Sequence, residues 1–313
     1  MRDLTYADQL DLSNLTMSEW LDALNDLDSD DIFVEYLGKN HGAVLQENGP
    51  VLIVTFETYS AFAKRESLAH PLGWDIANRF GWSSLTILCD QFDWFRSKHI
   101  YAYFDRLVDD GTIDQFERVI FLGIGETSHS AAAFSLVATH CDVVLFGPIA
   151  SLATDVASWD TRFPAARRLD FTSRFGYAPS LVETAQNVYM FYDKSNPVET
   201  MHATLFKGEN INRFAAPLQG IAWGALTSRP FVIESLKHIV AGADAHVHFT
   251  HLRGRRRSTA YLRKLLLRAQ QMNRPWMVKI ICEHTLSIYE NAPRFIKALE
   301  AANHALSNSA QDT

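Results

Sequence analysis

Cysteine is scarce in this chain: only Cys89, Cys141 and Cys282 occur in 313 residues. That number and spacing exclude a disulfide framework and a cysteine-rich zinc module. Long apolar runs are also lacking. The longest, such as Val51-Leu-Ile-Val54 and the Val-Ile-Phe-Leu stretch ending at Leu122, fall far short of the ~20 residues that cross a bilayer. The opening Met1-Arg-Asp-Leu-Thr-Tyr-Ala-Asp8 has no apolar stretch of the secretory kind, so a cytoplasmic protein without a membrane span is expected. Neither internal repeats nor low-complexity tracts are seen. Hydrophobic residues make up 47% and charged residues 21%, which excludes a disordered chain. The length suits one large α/β domain with terminal additions.

Each end lacks charge of one sign. Between Met1 and Glu35 stand ten acids and one base, Arg2. Between His251 and Cys282 stand nine bases and no acid. A basic stretch can hold a polyanion by counterion release, or it can pair with an acidic segment, within the chain or across a homo-oligomer. The net charge of -7 and the acidic head favour pairing, and nucleic acid is not expected as a partner.

Between the charged ends the pattern becomes regular. Thr16-Met-Ser-Glu19 has capping-box spacing and opens a short amphipathic helix through Trp20, Leu21 and Leu24. Strands are expected over 51–56, 85–89, 118–123, 142–146 and 187–192, with a weaker one over 210–214. Helical stretches lie between them at 100–107, 130–138 and 198–206. Continuous apolar strands alternating with helices imply a mostly parallel sheet covered on both faces. After Pro217 the pattern is helical, over 231–241, 258–272 and 292–306. This divides the chain into an acidic helical segment (1–45), an α/β core (46–225) and a basic helical extension (226–313).

The segment from Val119 to Ser135 is the most informative. A strand ends in a glycine-rich turn, Gly123-Ile-Gly125-Glu-Thr-Ser128, and passes directly into a helix of small residues. One chemistry for this geometry is dinucleotide binding, with the turn amides cradling a pyrophosphate, which would make the chain a nucleotide-binding oxidoreductase. The next strand, however, ends Leu-Phe-Gly147-Pro148, with no acid for ribose hydroxyls. The other chemistry is a nucleophile elbow, in which a strand-turn-helix lifts one side chain above the sheet beside oxyanion-hole amides. At least two strands precede the turn, three follow it, and Asp193 follows the strand ending at Tyr192.

On these residues the chain resembles the α/β-hydrolase superfamily over roughly 51–220. The resemblance implies a three-layer α/β sandwich, with the Gly147–Gln186 segment as a cap-like insertion. It also implies a hydrolase or acyltransferase acting on an ester or thioester. The motif departs from that pattern. G-x-S-x-G is absent, and the alignment puts Gly125 or Glu126 at the tip. The loop after the last strand, Ala216-Pro-Leu-Gln-Gly220-Ile-Ala-Trp223, holds no histidine. Ser128, Asp193 and His202 are the remaining triad candidates, with His129 beside the turn. The other reading is an elbow that has lost its nucleophile, leaving a degenerate hydrolase or a non-catalytic binding or assembly scaffold. The chain is also similar to uncharacterised bacterial proteins often called phosphoadenosine phosphosulfate reductase, through Thr55-Phe-Glu-Thr58, Trp159-Asp160 and Arg174-Phe-Gly-Tyr-Ala-Pro179. Such a reductase needs an S-G-G-x-D-S loop and an E-C-G-x-H tail, and neither string occurs.

Other groups carry chemistry by type. Phe56 and Glu57 follow the first core strand, where an oxyanion-hole amide would arise. Glu57 and Glu126 could meet there as acid and base, or each could cap a helix. Arg162, Arg167, Arg168 and Arg174 in the 147–186 segment suit a carboxylate, sulfate or phosphate, unless Asp155, Asp160 and Asp170 take them. Asp244-Ala-His-Val-His-Phe-Thr-His251 gathers three histidines without metallohydrolase spacing, so neither a metal nor a cofactor is expected.

Overall fold

The computed structural model describes residues 11–27, 29–63, 68–216, 229–242 and 256–311. The contacts of the chain separate into two compact units, Met1–Gly224 and Ala225–Thr313.

The first unit is built on an eight-stranded sheet. Its strands are β1 (Ile32–Tyr36), β2 (His41–Gln46), β3 (Val51–Thr58), β4 (Ser83–Cys89), β5 (Arg118–Ile124), β6 (Asp142–Phe146), β7 (Asn187–Tyr192) and β8 (Ile211–Ala215). They lie in the order β1-β2-β4-β3-β5-β6-β7-β8. β2 runs antiparallel to both of its neighbours, and every other pairing is parallel. The six parallel strands expected from the apolar runs are all present. β3 extends two residues beyond the expected Phe56. β1 and β2 were not anticipated, because the 1–45 segment reads as helical. Only α1 (Met17–Asn25) is helical there among the described residues.

Alternation along the strands sends side chains to two cores. Leu85, Ile87 and Cys89 of β4 and Ala43 and Leu45 of β2 face one way, into a cluster with Phe56. On that face lie α4 (Lys98–Asp109) and α5 (Thr127–Phe134), bringing Ile100, Phe104 and Phe134. Leu88 and Val44 face the other way, toward Trp20 of α1 and Trp74 of α3 (Leu72–Phe80). The result is a three-layer α/β sandwich. The capping box at the start of α1 forms as the spacing requires: Glu19 N–H donates to Thr16 Oγ1 at 3.3 Å, and Thr16 N–H to Glu19 Oε2 at 2.8 Å.

The second unit is helical in its described part. It contains α9 (Arg229–Val240) and helices over Thr259–Gln271, Pro275–Leu286 and Pro293–Gln311. The last three share a core of Leu262, Leu266, Ile281, Cys282 and Phe295. The Asp244–His251 histidine cluster lies outside the described residues.

Candidate functional site

The turn between β5 and α5 stands at the carboxyl edge of the parallel strands, where open α/β sheets bind ligands. Two glycines shape it in different ways. A Cβ on Gly123 would sit 2.4 Å from the Cα of Ser128 and 2.8 Å from the Cβ of Ala131, so α5 can cross β5 this closely only over a bare backbone. Gly125 instead has φ +61°, in the left-handed region, while a Cβ there would meet open space. Its N–H donates to the carbonyl of Phe146 at 2.7 Å. Gly125 is therefore the apex residue of the turn. The apex of this elbow carries no side chain.

The expected triad candidates are all located. Ser128 is fully buried in the first turn of α5, three residues past the apex. Its Oγ donates to the carbonyl of Gly147 at 3.1 Å and accepts from the N–H of Ile149 at 3.0 Å. The hydroxyl thus ties α5 to the chain leaving β6. His202 is fully buried in α8 (Pro197–Leu205). Its Nδ1 accepts from the N–H of Ala150 at 3.2 Å, which leaves the proton on Nε2, 3.0 Å from Asp160 Oδ2. Burial lowers the pKa of His202, against the pull of Asp160. Asp160 stays ionised: burial works to raise its pKa, but hydrogen bonds from His202 and from Arg162 outweigh this and hold it below the usual carboxylate range. Asp193 accepts from Ser195 N–H at 2.8 Å and Ser195 Oγ at 2.5 Å, while its own N–H donates to Glu199. No hydrogen bond joins Ser128, His202 and Asp193 to one another.

The two glutamates part company. Glu57 is buried, and its carboxylate accepts from the N–H groups of Leu72 and Gly73, both at 2.9 Å, at the start of α3. A carboxylate at that end of a helix is favourable. Glu126 is exposed, and partial loss of water raises its carboxyl, opposed by Arg162. Phe56 lies within β3 in register with Ile87, its ring 5.3 Å from that of Phe134 in the core.

Three of the four arginines singled out in the 147–186 segment have partners. Arg162 grips Asp160 with Nε at 2.9 Å and Nη2 at 2.8 Å, and Arg174 pairs with Asp105 of α4. Arg167 donates to the carbonyl of Ser158 at 2.9 Å. Arg168 stands exposed. The segment itself packs as a small core of Ile149, Leu152, Phe171 and Trp94.

Sequence reasoning missed two features here. The first is the pairing of His202 with Asp160, which was expected only as a partner for the arginines; the two stand 42 positions apart, and no local pattern signals such a pair. The second is the loop after β4. Trp94 and Phe95 adopt φ +61° and +56°, a strained region for bulky residues. Trp94 accepts from Ser130 Oγ through its carbonyl and packs on Phe163. Beside it His129 is buried with both ring nitrogens unpartnered, and burial pushes its pKa down to about 3. Among the described residues no group of three or more histidines, cysteines or acids could hold a metal ion.

The strand order, the single reversed strand and the elbow between β5 and α5 define an α/β-hydrolase-like fold. A scan against protein-family models finds no match, and a search of curated proteins finds none. Solved structures with a similar course include the capsule O-acetyltransferase of Neisseria meningitidis serogroup A. It shows 13% identity and a TM-score of 0.47, over 70% of this chain and 99% of that one. Est1E from Butyrivibrio proteoclasticus shows 12% identity and a TM-score of 0.46, over 68% and 98%. An esterase of Pyrobaculum calidifontis shows 12% and 0.45, over 71% and 88%. Similarities this low speak to neither activity nor substrate. Among the described residues, no helix is long and apolar enough to cross a membrane.

Proposed function

We propose that this protein is a degenerate hydrolase: it keeps the α/β-hydrolase scaffold for binding or assembly and does not catalyse acyl transfer through a serine. The carrying observation is Gly125, which leaves the apex of the elbow without a nucleophile. A serine hydrolase needs a hydroxyl, a base in reach of it, and an acid that orients the base. Here the hydroxyls that follow the apex are engaged inside the fold, Thr127 by the backbone of Ile124 and Ser128 by Gly147 and Ile149. Both nitrogens of His202 are engaged by Ala150 and Asp160. Asp193 serves a local turn with Ser195.

The test is direct. The full chain is incubated with a fluorophosphonate probe and, separately, with activated esters and thioesters of increasing acyl length. Intact mass should show no adduct, and turnover should equal the buffer rate. A stoichiometric adduct on Ser128, or turnover removed by Ser128→Ala with the fold intact, would sink the proposal.

A further inference from the structure

The edge of the sheet opposite β8 carries a groove that the elbow does not explain. It lies between β1 and α4 and has a volume of about 320 Å³. That is within the range of ligand pockets, from roughly 300 Å³ upward. Its apolar lining includes Phe33, Tyr103 and Leu107, and Phe33 is 51% exposed, large for a phenylalanine on a strand. Its polar lining includes Glu35, Glu47 and Asp110, against a single cation, Arg106, which is paired with Glu35. A second hollow of about 240 Å³ shares Glu47 and Gln115 with it, so the depression continues past the end of β2. The groove therefore calls for an apolar side chain surrounded by cations.

The chain contains a surface of that description. The hairpin of helices over Thr259–Gln271 and Pro275–Leu286 buries Leu262, Leu266 and Ile281 in its own core. Its outer surface leaves Leu267 45%, Met272 50%, Trp276 51% and Ile280 56% exposed. Trp276 and Ile280 are four residues apart and share one side of their helix. Arg263, Arg268 and Arg274 are exposed on the same hairpin, and no acid occurs from His251 to Cys282. The one acid on these two helices, Glu283, is paired with Lys279. Exposed apolar side chains set among charges mostly of one sign mark an interaction surface, and complementary potentials fix its partner.

We propose that the groove beside β1 receives the basic helical hairpin of a second copy of this chain, with an exposed apolar side chain of the hairpin filling it and Arg263 and Arg268 facing Glu47 and Asp110. The two surfaces differ, so the contact is heterologous. Each copy offers one groove and one hairpin, and association can continue beyond a pair.

Sedimentation velocity on the full chain tests this through a charge swap. At about 0.05 M salt the wild-type mass should rise with concentration, and at about 0.5 M salt it should return to that of one chain, because exposed ion pairs are screened. Glu47→Lys with Asp110→Lys, and separately Arg263→Glu with Arg268→Glu, should each give a monomer under the low-salt condition. An equimolar mixture of the two variants should associate again, since each hairpin then finds a groove of opposite sign. Circular dichroism confirms that both variants are folded. A wild-type chain that stays monomeric at low salt overturns the proposal. So does a mixture that fails to associate, or a monomer that instead sediments with vesicles of anionic lipid. None of these outcomes bears on the fluorophosphonate result, so the two proposals fail separately.

Discussion

At the residue scale, the two glycines of the elbow make different demands, and different substitutions separate them. Gly125 is constrained by its left-handed φ while the space above it is open. Gly125→Val should cost about 1–3 kcal/mol of backbone strain, with Gly125→Ser near the lower end because its side chain is small and unbranched. At Gly123 the obstacle is the backbone of Ser128 at 2.4 Å, which cannot rotate aside. Gly123→Ala should therefore cost more, about 3 kcal/mol or above, although alanine is the smaller change. Urea unfolding of the variants gives the ranking, and Gly123→Ala proving milder than Gly125→Val would contradict the close packing of α5 on β5.

His129 supplies a pH prediction at the same scale. Its ring is buried, unpartnered and held neutral, with a folded pKa of about 3. In the unfolded chain it titrates near 6.5. A folded pKa below the unfolded value means that the unfolded state takes up the proton first. The stability His129 provides is then complete above about pH 6.5 and declines as the pH falls toward 3, by up to about 1.4 kcal/mol per pH unit. His129→Phe should flatten the stability curve between pH 6 and pH 4 relative to the wild type. Parallel curves for the two proteins would show that His129 carries none of that dependence.

At the scale of elements, the 147–186 segment is held to the elbow and to α8 by polar ties. Ser128 binds its first residues, and His202 binds Ala150 and Asp160. Asp160 also holds Arg162. Asp160→Ala would leave the Nε2–H of His202 buried without an acceptor and the guanidinium without its fork. The cost should be about 3 kcal/mol, the range for removing one partner of a buried charged pair. The loss should also be local. Hydrogen exchange at the amides of the insertion and α8 should accelerate, while β3 and β5 keep their protection. Uniform acceleration across the sheet would mean that the segment unfolds only with the whole unit.

At the scale of the molecule, the two units carry separate reporters. Cys89 and Cys141 lie buried in the sheet unit, where burial pushes both thiols up to about 12, and Cys282 lies in the helical unit with its thiol at about 11. All three should resist a thiol reagent at pH 8 in the native protein. The three-helix core around Cys282 is far smaller than the core on the sheet that holds Cys89 and Cys141. In rising urea, Cys282 should become reactive before Cys89 and Cys141. Simultaneous labelling of the three would show the units opening as one cooperative block.

How much of this was legible in the sequence depends on the range of the interaction. β3 to β7 announced themselves because a strand buried on both faces must be apolar throughout, and such runs can be read locally; β8, at the other edge with Asn212 and Arg213 in it, gave a weaker signal. The capping box of α1 and the tight elbow glycines were equally local. β1 and β2 were not legible. At the edge of the sheet β1 mixes exposed and half-buried residues, Phe33 and Tyr36 among the exposed ones, so it shows neither an apolar run nor clean alternation. The candidate site shows the same division. The sequence by itself determined that no serine occupies a G-x-S-x-G turn and that no histidine stands in residues 216–223, directly after β8, since both depend on residue order alone. Only the tertiary structure decided that Gly125 is the apex and that Ser128 is locked to Gly147. It likewise decided that Asp160, 42 residues away, accepts the hydrogen bond from His202 Nε2–H that a triad would give to Asp193. Those outcomes rest on which strands are neighbours and how closely α5 lies on β5, and chain segments far apart in sequence set both.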